Sequence, residues 1–530
     1  MWRGAASPRP PPTIAPVKTA SAETAPEATQ PEARSAPLPD PLAAALVFLA
    51  SGAALVLEIV ALRLVGPYVG VTLETSSAVI GVTLAAIAYG TWIGGRVADR
   101  RDPRRLLGPA LLLAGIATAI TLPVVRYAGE ALRGAATGGV LLLTALAVVV
   151  SAALLSAVTP LVVKLQLGDV RRTGRVVGRL SSIGTLGGIT ATLGTGFILV
   201  AALPSSTIII GLAALLGVTG IALDVYLRRQ TAGGPRGRGP GALAAAGLVA
   251  AGLAAVAPTP CDVETAYHCA SVVADPQRPS GRVLLLNSAQ HSYVDLDDPT
   301  HLEFAYVQWI GAVTDVVAPP GQPLDVVHLG GGGFTVPRYL TATRPGTRNV
   351  VFEIDGELVA LGRRELGVRE GDDLRIAVGD ARMLVAAHAS ASADVVVGDA
   401  FGHLVVPWHL TTREMMADLR RILRPEGTYV QNVIDYPPAR FLRAELATVA
   451  AEFPHVALVA PPAAIAGDVG ANFLILASQR PLPLDTLRAR LEQLPQPVTV
   501  LTGADLTAFM GAARVLTDDF APVDQLLVRP

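Results

Sequence analysis

Leu324-Asp325-Val326-Val327-His328-Leu329-Gly330-Gly331-Gly332-Gly333 is an apolar run of strand length that stops on four glycines. A strand buried on both faces of a parallel sheet reads as such a continuous run. Glycine at its carboxyl end lets backbone amides approach a ligand with no Cβ in the way. The pattern repeats downstream. Asn349–Ile354, Leu374–Val378, Asp394–Val397, Gly427–Val433, His455–Ala460 and Asn472–Ala477 read as further strands. Helical stretches such as Glu357–Glu365 and Thr411–Leu423 fall between most of them. Strand–helix alternation predicts a parallel sheet with helical crossovers.

The residues that carry chemistry stand at the carboxyl ends of these runs. Gly330, Gly331 and Gly332 follow the first. Glu353 closes the second, where a carboxylate accepts hydrogen bonds from both hydroxyls of a ribose. Asp380 follows the third in Gly379-Asp380-Ala381, placed to accept from an adenine amine, and Asp399 closes the fourth in Gly398-Asp399-Ala400-Phe401. Glycine runs also make ordinary turns, and a carboxylate after a strand also complements a helix N-terminus. The ordered set of glycine turn, Glu, Asp and Asp nevertheless points to an adenosyl-type nucleotide. Seven strands in this order predict a class I methyltransferase-type Rossmann fold, which binds ligands beyond its strand ends.

Upstream, Ser271–Ala274, Arg282–Leu286 and Ser292–Leu296 predict a small antiparallel β unit with Asp-Pro and Pro-Ser-Gly turns. Before residue 260 the character changes. The 530-residue chain is 51% hydrophobic and 16% charged, with a mean hydropathy of +0.48. Soluble domains run about 25% charged, and the apolar excess lies in this first half. A spanning helix needs about 20 mostly apolar residues. Residues 43–65, 76–95, 106–125, 139–163, 183–203 and 206–227 qualify, and 241–257 is a shorter, weaker seventh. The chain therefore divides into a disordered tail rich in Pro, Ala, Ser, Thr and Glu (1–40), an α-helical polytopic membrane bundle (41–258), the small β unit with a linking helix (259–310) and the nucleotide-binding domain (311–530).

Basic residues sort between alternate loops. Arg96, Arg100, Arg101, Arg104 and Arg105 follow the second span; Lys164, Arg171, Arg172, Arg175 and Arg179 the fourth; Arg228, Arg229, Arg236 and Arg238 the sixth. The positive-inside rule places these loops and the N-terminus in the cytoplasm. If 241–257 spans, everything after it lies outside, and Cys261 and Cys269 are close enough to form a disulfide suited to an oxidising compartment. If it is re-entrant, the soluble domain stays inside. The sequence leaves the side open.

Glu58 and Arg63 fall in or at the end of the first span, where a charge is expected to meet a partner or a cavity, or to reach the interface. Gly94–Arg101 resembles the cytoplasmic loop signature of major-facilitator transporters. His268, His291, His301, His403 and His409 show no metal-ligand spacing, so no metal is expected. The net charge of −1 gives no reason to expect nucleic acid as a partner. The expected partners are a small-molecule amine and the lipid bilayer, with a homo-oligomer left open.

The region from about 262 to 480 resembles the spermidine synthase (polyamine aminopropyltransferase) family, and the whole chain resembles bacterial proteins that fuse such a domain to a transporter-like bundle. The matching residues are His-Leu-Gly-Gly-Gly-Gly at 328–333, Phe-Glu-Ile-Asp at 352–355, Gly-Asp-Ala-Arg at 379–382 and Gly-Asp-Ala-Phe at 398–401. Glu303-Phe304-Ala305-Tyr306 is similar to the family's Glu-Phe-x-Tyr segment. The resemblance implies aminopropyl transfer from decarboxylated S-adenosylmethionine to putrescine, with the donor a co-substrate and no tightly bound cofactor. It implies that Gly330, Gly331 and Gly332 line the nucleoside, Glu353 holds the ribose, and Asp380 and Ala381 meet the adenine. Asp399 would help deprotonate the attacking amine and Tyr306 would orient it. Two acidic positions of the family pattern are here Gly333 and Gly402, which alters the amine half of the site. An S-adenosylmethionine-dependent methyl- or alkyltransferase and a non-catalytic ligand-sensing domain are the alternatives. Leu516-Thr517-Asp518-Asp519 also resembles the tail of the fused proteins.

Overall fold

The computed structural model describes residues 37–527 apart from 71, 134–136, 168–171, 231–238, 258, 260, 288 and 403–404. The tail expected over 1–40 lies outside the described residues as far as residue 36, as do Arg171, Arg236, Arg238 and His403. Among the described residues, six helices are long and apolar enough to cross a membrane. They are α1 (Asp40–Val69), α2 (Leu73–Arg100), α3 (Arg104–Ala131), α4 (Thr137–Gln166), α5 (Thr173–Gly194, carried on to Ala202 through a π turn) and α6 (Ser205–Gln230). In lipid, close backbone approach replaces the hydrophobic drive between helices. Gly90 on α2 shows it: a Cβ there would lie 2.2 Å from the Ala153 carbonyl of α4.

A seventh helix, α7 (Gly239–Val256), runs alongside α3 in the same direction. Gly247 faces Ile116, Ala250 packs with Ala119, and the Ala257 carbonyl accepts from Arg126 Nη1 at 2.9 Å. Its 18 residues reach about 27 Å at helical rise, close to the roughly 30 Å of a hydrocarbon core. It begins at the Arg-rich end of the bundle, where Asp40 pairs with Arg179 and Asp99 with Lys164, at 2.8 and 2.7 Å. It ends at the opposite face.

The soluble half sits on that opposite face. Arg63 of α1 donates to the Thr265 carbonyl, Arg126 of α3 pairs with Glu264 at 3.7 Å, and Ser206 of α6 donates to Glu264. The Leu73 amide of α2 donates to Asp524. This half opens with a four-stranded antiparallel sheet, β1 (Val263–Glu264), β2 (Cys269–Ala274), β3 (Gly281–Leu286) and β4 (Ala289–Asp295). Cys261 and Cys269 are joined by a disulfide at its edge.

After α8 (Ala305–Val317) comes an eight-stranded sheet of order β12-β10-β11-β9-β8-β5-β6-β7. Its parallel strands are β5 (Asp325–Leu329), β6 (Arg348–Glu353), β7 (Leu374–Val378), β8 (Ala393–Gly398) and β9 (Leu423–Asp435). β10 (His455–Ala460) and β11 (Ala471–Ser478) continue it in antiparallel sense. The expected seven strands become eight because β12 (Thr499–Thr502), a four-residue strand with two threonines, adds to the β10 edge. Valines of β5 and β8 bury against Trp309 and Ile310 of α8 on one face. On the other face they meet α11 (Ala381–Ala387), α12 (Arg413–Ile422) and α13 (Arg440–Ala450). α12 is amphipathic: Met415, Met416, Leu419 and Ile422 point inward, and Thr412 caps its first turn. The intervening crossovers are α9 (Thr335–Thr343), α10 (Gly356–Glu365) and α11 (Ala381–Ala387).

The Leu516–Asp519 tail segment has a structural task. Asp518 accepts from Thr412 Oγ1 at 2.6 Å and from Arg382 Nη2 at 2.8 Å, tying the C-terminus to the starts of α11 and α12.

Candidate active site

Where β5 ends, Gly330 turns the chain at a φ of +91°, a region that favours glycine, and a Cβ there would lie 2.5 Å from the Asp399 carbonyl. The next two amides are aimed. Gly331 and Gly332 donate to Glu353 Oε2 at 2.8 and 3.4 Å, while Glu353 Oε1 accepts from the Asp355 amide at 2.9 Å. Glu353 is 5% exposed. The helix-capping role belongs to Asp355, which accepts from the amides of Glu357 and Leu358 at the start of α10. Glu353 is thus left to organise the glycine loop.

Asp380 stands one strand further along. The Gly379 amide donates to the Glu353 carbonyl at 2.8 Å, Asp380 Oδ1 caps α11 through the Arg382 amide, and Oδ2 lies 3.2 Å from His409 Nε2. Ala381 opens α11 and is buried.

Asp399 follows β8, next to the glycine turn. Its Oδ1 accepts from Asn432 Nδ2 at 2.9 Å and its Oδ2 from the Tyr306 hydroxyl at 3.2 Å. Asn472 Nδ2 in turn donates to Asn432 Oδ1 at 3.0 Å, which fixes the amide so that its NH2 faces Asp399. Burial pushes the Asp399 carboxyl up to about 6, against the pull of the Asn432 and Tyr306 hydrogen bonds. Burial, together with the neighbouring Asp399 charge, pushes the Tyr306 hydroxyl well above its usual range, so it remains a donor.

Tyr306, Asp399, Gly331 and Gly332 line one cavity of about 500 Å³, with Ser292 and Phe401 beside them. That volume lies in the range of small-molecule sites, about 300–1,000 Å³. The structure therefore gathers Gly330–Gly332, Glu353, Asp399 and Tyr306 around one crevice, with Asp380 and Ala381 at the neighbouring strand end. Asn432, Asn472 and Ser292 were not singled out from the sequence. The signal for Asn432 was present: Gln431 and Asn432 are polar side chains inside the apolar run of β9.

The two glycines that replace acids differ in room. A Cβ at Gly333 would lie 2.6 Å from Ser292 Cβ and 3.0 Å from Val294 Cγ2, so β4 closes that position to any side chain. At Gly402 the nearest atom among the described residues is the Val405 carbonyl at 3.8 Å, so among them a side chain has room.

This sheet order, with a glycine turn and carboxylates on successive strand ends, defines a class I methyltransferase-type Rossmann domain behind a membrane bundle. No family model matches the chain. The polyamine aminopropyltransferase of Chromobacterium violaceum is 28% identical over 142 residues, 27% of this chain and 53% of that protein. The polyamine aminopropyltransferase of Vibrio vulnificus is 25% identical over 222 residues, 39% of this chain and 70% of that protein. The chain thus spans about half the length of the first of these relatives. Among solved structures, a probable spermidine synthase from Corynebacterium glutamicum is 28% identical and aligns over 51% of this chain and 98% of its own, with a TM-score of 0.46. By sequence the C-terminal half is thus similar to spermidine synthases (polyamine aminopropyltransferases).

Proposed function

We propose that the chain is a membrane-bound aminopropyltransferase that uses decarboxylated S-adenosylmethionine. The observation that carries this reading is Asp399, half-buried beside a glycine-lined crevice and held by Tyr306 and Asn432. A protonated amine cannot attack carbon, so a carboxylate must take its proton. Tyr306 and Asn432 fix both oxygens of that base, and the crevice aligns nitrogen with carbon. The acceptor nitrogen forms a bond to the aminopropyl carbon as the carbon–sulfur bond breaks. The sulfonium leaves as the neutral thioether methylthioadenosine, and the amine proton passes to Asp399. Gly330, Gly331 and Gly332 would line the nucleoside, Glu353 would take the ribose hydroxyls, and Asp380 with Ala381 would meet the adenine. For this, Glu353 Oε2 must exchange a glycine amide for a ribose hydroxyl or share both.

The test is incubation of the purified full chain with decarboxylated S-adenosylmethionine and putrescine. Release of methylthioadenosine is expected. A folded protein that releases none refutes the reading.

Gly333 favours one second reading. With β4 closing that position, no carboxylate there repels a donor carboxylate, so intact S-adenosylmethionine fits the same crevice as an alkyl donor. Tighter binding of the intact than of the decarboxylated donor would favour it.

We also place the soluble half outside the cytoplasm. It sits on the end of the bundle opposite the Arg-rich loops, α7 runs between the two ends, and its cysteines are paired. A C-terminal reporter that is active only outside the cytoplasm tests this, and cytoplasmic activity alone overturns it.

A further inference from the structure

A second cavity, of about 350 Å³, separates the outer end of the bundle from the soluble half. Leu62 and Leu64 of α1 and Leu122 and Val125 of α3 make its lining mainly apolar. Phe401 and Gly402 close it on the soluble side, and Phe401 also lines the crevice that holds Asp399. Two arginines reach this cavity, and their commitments differ. Arg126 donates to the Ala257 carbonyl and faces Glu264, which also accepts from Ser206. Arg63 donates through Nη2 to the Thr265 carbonyl, whereas its Nη1 is buried without a hydrogen-bond partner. The acids whose charges act on Arg63 are Glu264, Asp355 and Glu357. Asp355 is already engaged by Thr265, by His268 at 3.2 Å and by the start of α10. A buried guanidinium nitrogen left without an acceptor is unfavourable.

From this geometry we infer that the cavity binds a membrane amphiphile carrying an anionic oxygen head. The head accepts from Arg63 Nη1, and the chain lies along Leu62, Leu64, Leu122 and Val125. Arg63 lies within the last two turns of α1, at the bundle end where a polar head meets water and a chain meets lipid. The volume suits a head and the first part of one chain. A fatty carboxylate and a phospholipid phosphate share this chemistry. The inference does not depend on which acceptor Asp399 serves.

The test uses the full chain in neutral detergent and native mass spectrometry with oleate, phosphatidylglycerol and diacylglycerol as probes. Oleate or phosphatidylglycerol, whichever is the source, is expected to bind at least about tenfold tighter than diacylglycerol, as one charge-assisted hydrogen bond provides. Arg63→Gln should remove that preference, and Leu122→Trp, which fills the cavity, should weaken every probe. If Arg63→Gln does not fold, the wild-type preference and Leu122→Trp decide. Equal binding of all three probes, or binding unaffected by Leu122→Trp, overturns the inference.

Discussion

The Tyr306 hydroxyl donates to Asp399 Oδ2 across 3.2 Å, joining the first turn of α8 to the end of β8, 93 residues later. The bond favours the charged carboxylate, and burial opposes it. A base with its proton affinity near 6 is ionised at neutral pH yet still accepts a proton from an attacking amine. The acidic limb of kcat/KM is therefore expected at about pH 6, activity rising with pH as Asp399 ionises. In Tyr306→Phe the charged form loses a donor, so the limb should move to higher pH. A limb that stays in place would show that the hydroxyl does not act through Asp399.

Glu353→Ala should weaken nucleoside binding about tenfold to a hundredfold, the equivalent of one charge-assisted hydrogen bond of about 1.5–3 kcal/mol. It also leaves the Gly331 and Gly332 amides without their acceptor. Methylthioadenosine affinity, measured at equilibrium on the full chain, checks this. An unchanged affinity would move the ribose away from the end of β6.

The amine half can be probed at the two glycines. Gly402→Asp has room for its side chain and adds an acceptor for a second ammonium, so diamine KM should fall by about tenfold or more. Gly333→Asp drives its Cβ into Ser292 and Val294 and should destabilise the domain by about 1–3 kcal/mol instead. Kinetics and melting of the two variants separate the effects. A stable Gly333→Asp would mean that β4 yields.

Much of this arrangement was legible. Strands β5, β6 and β8 are largely buried, so their valine runs stand out, and the residue that closes or follows each lines or flanks the crevice; β7, at the sheet edge, is more exposed. Asp399 could be read from its place after such a run. Tyr306 was legible only through resemblance, since its approach to Asp399 depends on how α8 packs across the sheet. Asn432 was missed because its signal, shared with Gln431, is a polar break in an apolar run, which a reading by periodicity passes over. β12 is four residues at an edge, too short to register. α5 begins at Thr173, ten residues before the apolar stretch, because Arg175 and Arg179 hide its first turns from a hydropathy reading. α7 was ambiguous since 18 residues of mostly Ala and Gly suit a span or an interfacial helix equally. Its packing along α3 supports the span on which the proposed placement of the soluble half rests.

Glu445 gives the soluble half a pH dependence unrelated to the crevice. Burial pushes its carboxyl up to about 8, partly offset by Gln431 Nε2 at 2.7 Å, against 4.5 in an open chain. Between those values the folded chain keeps a proton that the unfolded chain has lost. Its contribution is thus most favourable below about pH 4.5, declines as pH rises to about 8, and then levels off. Glu445→Gln removes that slope, so its melting temperature relative to wild type should climb between about pH 5 and pH 8. A gap that is constant across that range would mean Glu445 is ionised in the fold.

The most direct measurement is calorimetric titration of the full chain, in detergent, with methylthioadenosine. The account predicts saturable one-site binding, strongly weakened in Glu353→Ala and essentially unchanged in Asp399→Asn, which keeps the cradle and loses only the base. No binding by folded wild-type protein, or binding indifferent to Glu353, would contradict it.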